Sequence, residues 1–232
     1  MILVCLAILS YFVGAIPFGM LVARTRGIDI MKVGSGNIGA TNVVRALGPK
    51  YGILVFVLDV LKGAVPGIVT HFVVDAPKYG VQVQTWQFIF GVVSILGHMF
   101  SPFLKFKGGK GVATGLGAAL GSVPLTGLCA FAVMIVSTLV TRYISLSSLI
   151  AATSVIPISI WLTKDEPQTR PILVLMVVFI FYKHRSNISR LIAGTESRFT
   201  FRKQLDVVPE TESVVEPPCD EHGMPEGESA PR

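Results

Sequence analysis

Two apolar runs decide what this chain can fold into. Residues 1–22 hold no charged side chain, and residues 51–74 hold only Asp59 and Lys62. At about 1.5 Å per residue, each helical run reaches across the ~30 Å of a bilayer's hydrocarbon. Inside hydrocarbon every backbone N–H and C=O must find an internal partner, so such a segment is a helix. The remaining composition agrees: 51% of residues are apolar, 15% are charged and the mean hydropathy is +0.66. The expectation is an all-α, polytopic membrane protein. The first run is not a cleavable signal peptide, because it lacks a basic start and leads straight into a polar loop.

Seven spans are expected, at about 1–23, 51–74, 85–104, 112–123, 125–141, 148–163 and 171–183. The fourth is short, and Pro157 should kink the sixth or be accommodated by its neighbours. One set of loops, together with the C-terminal segment, carries sixteen Lys and Arg residues; the opposite loops carry only Lys78, Lys164 and Arg170. Basic loops stay in the cytoplasm. Seven spans then put the N-terminus outside and the C-terminus in the cytoplasm. Residues 1–204 read as the transmembrane domain. Residues 205–232 are rich in Glu, Pro and Ser and too poor in large apolar residues to fold, which predicts a disordered cytoplasmic tail.

The net charge of +6 fits membrane topology and gives no argument for nucleic acid. Cys5, Cys129 and Cys219 form no framework, and Cys219 with His222 is too sparse for a metal site. No metal or cofactor is expected.

Four polar cassettes interrupt the apolar pattern, all on the basic side. The first is Gly34-Ser35-Gly36-Asn37-Ile38-Gly39-Ala40-Thr41-Asn42, followed by Arg45. Glycines let backbone N–H groups converge on an anion, and a helix N-terminus behind them adds its dipole. Thr41 and Arg45 share a face if this segment is helical. Helix packing explains glycines but not the clustered amides and hydroxyls. The second is Lys105-Phe106-Lys107-Gly108-Gly109-Lys110-Gly111. It lacks the strand and spacing of a nucleotide-hydrolysing P-loop, yet keeps the logic of glycine amides plus lysine for phosphate oxygens. The third, Arg142-Tyr143-Ile144-Ser145-Leu146-Ser147-Ser148, caps a helix or lines a pocket equally well. The fourth runs from His184 to Glu196, with His184 and Asn187 on one helical face. Glu196 reads as a structural partner of nearby arginines. Asp59 and Lys62 pair at i,i+3 and are placed behind the site rather than in it.

These cassettes resemble the PlsY-type bacterial acyl-phosphate:glycerol-3-phosphate acyltransferases, on Ser-Gly-Asn-Ile-Gly-Ala-Thr-Asn, Lys-Phe-Lys-Gly-Gly-Lys-Gly-Val-Ala-Thr and His-Arg-x-Asn-Ile-x-Arg-Leu-x-x-Gly-Thr-Glu. The resemblance covers residues 1 to about 203. It implies a seven-helix inner-membrane enzyme that moves a fatty acyl group from acyl phosphate to the 1-hydroxyl of sn-glycerol 3-phosphate, with lysophosphatidic acid and phosphate as products. Neither acyl-CoA nor acyl carrier protein serves as donor. Ser35, Gly36, Asn37, Gly39 and Thr41 would then hold acyl phosphate. Arg45, a lysine (Lys110 first, Lys107 second), a serine (Ser147 or Ser148), His184 and Asn187 would hold glycerol 3-phosphate. Ser35, His184 and Asn187 would take part in the chemistry. A transporter for an organic phosphate is the rival reading. Its site would sit near the bilayer midplane, whereas these cassettes share one rim.

Overall fold

The computed structural model describes residues 1–80, 82–162 and 169–200; Lys164 and the tail 205–232 lie outside them. Among the described residues there are ten α-helices and no strand. They are α1 (Ile2–Ala15), α2 (Phe18–Arg24), α3 (Ala40–Leu47), α4 (Pro49–Val73), α5 (Val83–Met99), α6 (Val112–Ser122), α7 (Pro124–Thr141), α8 (Ile144–Leu162), α9 (Thr169–Lys183) and α10 (Arg185–Ile192). All seven expected apolar segments are helical. Five have the length and hydropathy to cross a bilayer: Ile2–Arg24, Pro49–Val73, Val83–Leu104, Pro124–Thr141 and Ile144–Leu162. α9 and α10 make a sixth only as one span bent by 61°. α6 has 11 residues and so reaches only about 16 Å. Seven full crossings are therefore not what the helix lengths deliver.

α6 is wedged inside the bundle because its glycines allow it. A Cβ at Gly63 would run into the Thr114 carbonyl, and one at Gly117 into the Val60 carbonyl. α4 and α6 consequently pack backbone to backbone. α1 and α5 do the same at Gly14 and Gly97, against the Ser94 and Tyr11 carbonyls.

Prolines break the helical ladder where side chains repair it. Pro66 inside α4 has no N–H for the Lys62 carbonyl four residues back. Ser94 Oγ of α5 donates to that carbonyl at 2.7 Å. Pro17 ends α1, leaving terminal carbonyls without helical donors. Ser101 Oγ caps the Ala15 carbonyl at 2.7 Å, and Lys62 Nζ caps the Ile16 carbonyl at 2.9 Å. Lys62 also pairs with Asp59 at 2.7 Å, as their spacing predicts. Both are buried.

The main apolar cluster joins α5, α8 and α9 through Phe88, Ile95, Met99, Leu149, Leu173, Met176 and Ile180. A second, of Ala23, Ile30, Ile38, Val43, Ala46, Val55 and Leu104, lies beneath the first glycine cassette. Many large apolar side chains point outward instead, among them Leu9, Ile53, Leu139, Val140 and Trp161. A bilayer makes that arrangement stable.

Candidate active site

One cavity of about 600 Å³ collects all four cassettes at one end of the bundle. Its wall includes Ser35, Asn37, Gly39, Thr41, Arg45, Lys110, Ser145, Ser148, His184, Asn187, Arg190 and Glu196. Asp59 and His98 line it as well.

The first cassette is held by one buried side chain. Asn42 Nδ2 donates to the carbonyls of Val33 and Asn37, both at 2.9 Å, and of Ile30 at 3.2 Å. Its Oδ1 accepts from the Ser35 N–H at 3.0 Å. Gly34 and Gly36, at φ +57° and +64°, supply the left-handed turns that this wrapping needs. Asn37 Oδ1 accepts from the Gly39 N–H at 2.8 Å, just before α3 begins. The N-terminus of α3 thus opens at the cavity, where an anion is favoured. Thr41 and Arg45 both reach the wall from α3, and Arg45 Nη2 donates to Ser197 Oγ at 2.6 Å.

The second cassette lies against His98. The Gly109 N–H donates to the His98 carbonyl at 3.1 Å. A Cβ at Gly109 would collide with the His98 imidazole, so glycine is required there. The loop delivers Lys110 to the wall. Burial pushes its ammonium down to about 8; nearby Glu196 opposes this shift, whereas Arg190 and Arg45 reinforce it.

The fourth cassette begins at the bend between α9 and α10. His184 is buried, and its Nδ1 lies 2.8 Å from the Ile180 carbonyl. A carbonyl only accepts, so Nδ1 carries the proton and Nε2 is left for other work. Glu196 binds Asn187 Nδ2 and Arg190 Nε, each at 2.7 Å. Burial works against ionisation of Glu196, but Asn187, Ser145 and Arg190 prevail and hold its carboxyl below the usual range. Asn187 Oδ1 remains buried without a partner.

Three expected residues stand off this wall. Lys107 is exposed in a turn whose N–H bonds the Leu104 carbonyl. Ser147 is buried with Oγ donating to the Tyr143 carbonyl at 2.9 Å. Gly36 shapes its turn without lining the cavity. Of the two serines left open by sequence, Ser148 lines the cavity, although its Oγ donates to the Ile144 carbonyl at 2.7 Å. Ser145, one turn earlier on the same face of α8, was not among the expected ligands. Its i,i+3 relation to Ser148 is the signal that points to it.

The glycerol-3-phosphate acyltransferase family profile matches residues 4–194. The chain belongs to that family. It is 42% identical to the glycerol-3-phosphate acyltransferase of Fusobacterium nucleatum, over 85% of this chain and 98% of the relative. The family member of Trichlorobacter lovleyi is 47% identical, over 82% and 94%. The fold matches crystal structures of PlsY (YgiH), an integral membrane glycerol 3-phosphate acyltransferase. Its glycerol 3-phosphate form gives a TM-score of 0.78 at 40% identity, covering 86% of this chain and 96% of that one. Its lysophosphatidic acid form gives 0.76 at 39% identity, covering 87% and 97%. The family resemblance read from the motifs is confirmed, and the chain is an integral membrane acyltransferase by membership.

Proposed function

We propose that this protein transfers a fatty acyl group from acyl phosphate to the 1-hydroxyl of sn-glycerol 3-phosphate. Lysophosphatidic acid and inorganic phosphate are the products, in the first step of bacterial phospholipid synthesis. The observation that carries the reading is the single cavity in which two glycine loops, Arg45, Lys110, His184 and Asn187 meet. Two phosphate-bearing reactants need such a pair of anion sites. Solved relatives in glycerol 3-phosphate and lysophosphatidic acid forms support it. The excess of basic residues on the cavity side supports a site facing the cytoplasm from the inner membrane.

Ser35, Asn37, Gly39 and Thr41, with the α3 N-terminus, hold the acyl phosphate. Arg45, Lys110, Ser148, His184 and Asn187 hold glycerol 3-phosphate. Acyl phosphate is a mixed anhydride with phosphate as leaving group, so positioning and charge neutralisation supply most of the catalysis. The glycerol oxygen attacks the acyl carbonyl carbon, and the bond from that carbon to the phosphate oxygen breaks. The hydroxyl proton passes to a substrate phosphate oxygen. Asn187 Oδ1 and His184 Nε2 are the acceptors that orient the hydroxyl. No acyl-enzyme forms, and neither acyl-CoA nor acyl carrier protein takes part.

Purified protein supplied with palmitoyl phosphate and glycerol 3-phosphate should release lysophosphatidic acid and phosphate without CoA, carrier protein or added metal. Product formed only from acyl-CoA would overturn the reading. Single replacement of His184 and of His98 tests direct attack: each should cost only about tenfold. A loss of roughly 10²–10⁴ would make that histidine a general base. An acyl group trapped on Ser35 would replace direct attack by a covalent route.

A further inference from the structure

Glycerol 3-phosphate has a competitor in the proposed reaction that is always present. Water can attack the acyl carbonyl carbon just as the glycerol hydroxyl does. The bond from that carbon to the phosphate oxygen then breaks, a fatty acid is released, and the water proton passes to a phosphate oxygen. The cavity is walled by amides, hydroxyls and charges, so water enters it readily. The segment placed to keep it out is the one that follows α10.

Residues 194–200 form a strap that leaves α10 and crosses the polar end of the bundle. Gly194, at φ +68°, makes the left-handed turn out of the helix, with open space around it. The N–H groups of Thr195 and Glu196 both donate to the Arg190 carbonyl, at 2.8 and 3.2 Å. Thr195, Glu196 and Ser197 then form part of the cavity wall. Two seats hold the far end. On α3, Ser197 Oγ accepts from Arg45 Nη2 at 2.6 Å. Between α7 and α8, the Phe199 N–H donates to the Arg142 carbonyl at 2.7 Å, and Arg198 Nε donates to Tyr143 Oη at 3.3 Å. The Arg198 guanidinium also lies 5.8 Å from the centre of the Tyr143 ring. Arg142 itself takes the left-handed conformation, φ +61°, without being glycine. One short segment thus ties the helices of the first, third and fourth cassettes together.

The attachment is polar rather than apolar. Thr195, Ser197, Arg198 and Thr200 are exposed, and no residue of the strap is buried. A segment held by a few solvent-facing hydrogen bonds opens easily, as one that admits a soluble substrate must. Its first seat is on Arg45, a residue assigned to glycerol 3-phosphate. Ser197 accepts from the guanidinium and keeps its own proton to donate. A phosphate arriving at Arg45 therefore adds a partner to the strap. Differential affinity of that kind lets a substrate close its own site.

We propose that the strap 194–200 decides which nucleophile the acyl group meets: latched by Ser197 onto Arg45, it closes over bound glycerol 3-phosphate and keeps water from the acyl phosphate. Ser197 and Arg198 are then specificity-determining residues. The inference rests on the proposed acyl-phosphate reaction.

The test follows both products from palmitoyl phosphate in the full chain, with glycerol 3-phosphate saturating for each variant and spontaneous hydrolysis subtracted. The parent should give lysophosphatidic acid with little palmitate. In S197A/R198A the ratio of palmitate to lysophosphatidic acid should rise about tenfold or more, while total phosphate release stays within about threefold. S197T keeps the hydroxyl and should hold the parent ratio. A double variant with the parent ratio overturns the proposal, whether or not its turnover falls. So does a rise that further glycerol 3-phosphate abolishes, because it marks weakened binding and not admitted water. If the parent makes no lysophosphatidic acid from any acyl phosphate, the proposed function itself fails, and the role of the strap with it. Should the double variant not fold, S197A alone decides. Its ratio should rise about threefold or more, and an unchanged ratio overturns the proposal.

Discussion

Lys110 makes the phosphate-binding reading testable by pH. Burial holds its pKa near 8 in the unliganded protein. About nine-tenths of the side chain is then charged at pH 7, and about one-tenth at pH 9. If the ammonium is required to bind glycerol 3-phosphate, KM for that substrate should rise about tenfold over those two pH units, because one unit of pKa corresponds to a factor of ten. The substrate phosphate is mostly a dianion from pH 7 to 9, so its own titration contributes little over those two units. Stability moves the other way. A lysine with a depressed folded pKa binds fewer protons folded than unfolded above pH 8, so the free protein gains stability as pH rises from about 8 towards 10.5. Weaker binding together with a stable fold separates loss of the ligand from unfolding. The assay is steady-state phosphate release at saturating acyl phosphate from pH 6.5 to 9.5, beside thermal unfolding in the same buffers. K110R keeps its charge throughout and should flatten the KM profile, even if binding is weaker at pH 7. A native KM that stays level from pH 7 to 9, or the same rise in K110R, would refute the argument.

Other residues carry sharp expectations. N42A strands the carbonyl of Ile30, whose bond is buried, at about 1–3 kcal/mol, and frees the half-buried carbonyls of Val33 and Asn37 at less. It should lower the melting temperature and raise KM for acyl phosphate; a variant as stable as the parent would show that Asn42 is not the keystone of the loop. E196A releases Asn187 and Arg190 together and should cut kcat more than KM, whereas E196Q, whose single amide oxygen keeps an acceptor for only one of the two donors, should recover only part of the rate. S147A should change kcat/KM by less than about twofold, because its hydroxyl is spent on Tyr143, while S145A loses a cavity hydroxyl and about tenfold.

Much of this fold was legible because hydrocarbon leaves few choices. Apolar runs at 1–23, 51–74 and 125–141 could only become helices, and they did. The cassettes were legible because glycines, amides and cations side by side conflict with every packing role. Thr41 with Arg45, and His184 with Asn187, share helical faces by spacing alone, and both pairs reach the cavity. Span count was less legible. α6 occupies an expected span but is too short to cross, and hydropathy does not distinguish a buried helix from a lipid-facing one. Ser147 and Ser148 both donate to the carbonyl four residues back, so what separates them is the turn of α8 that faces Ser148 to the cavity, a choice made only once the start of α8 is fixed.

The floor of the cavity shows why some of a site stays hidden in sequence. Asp59 and Lys62 are readable as an ion pair from their spacing, but their use is tertiary. Lys62 is drawn to the Ile16 carbonyl because Pro17 ends α1 there, and Ser94 is drawn to the Lys62 carbonyl because Pro66 leaves it free. Those two proline defects, 49 residues apart, therefore converge on one lysine and tie α1, α4 and α5 together below the glycine loops. His98 then stands 3.9 Å from Asp59 and packs beneath Gly109, so the loop that presents Lys110 rests on this buried polar cluster. Charges within an apolar bundle are costly unless every group has a partner. Here the cluster gives the glycine loop that carries Lys110 a fixed seat, a structural use for an ion pair where two leucines would have been cheaper to bury.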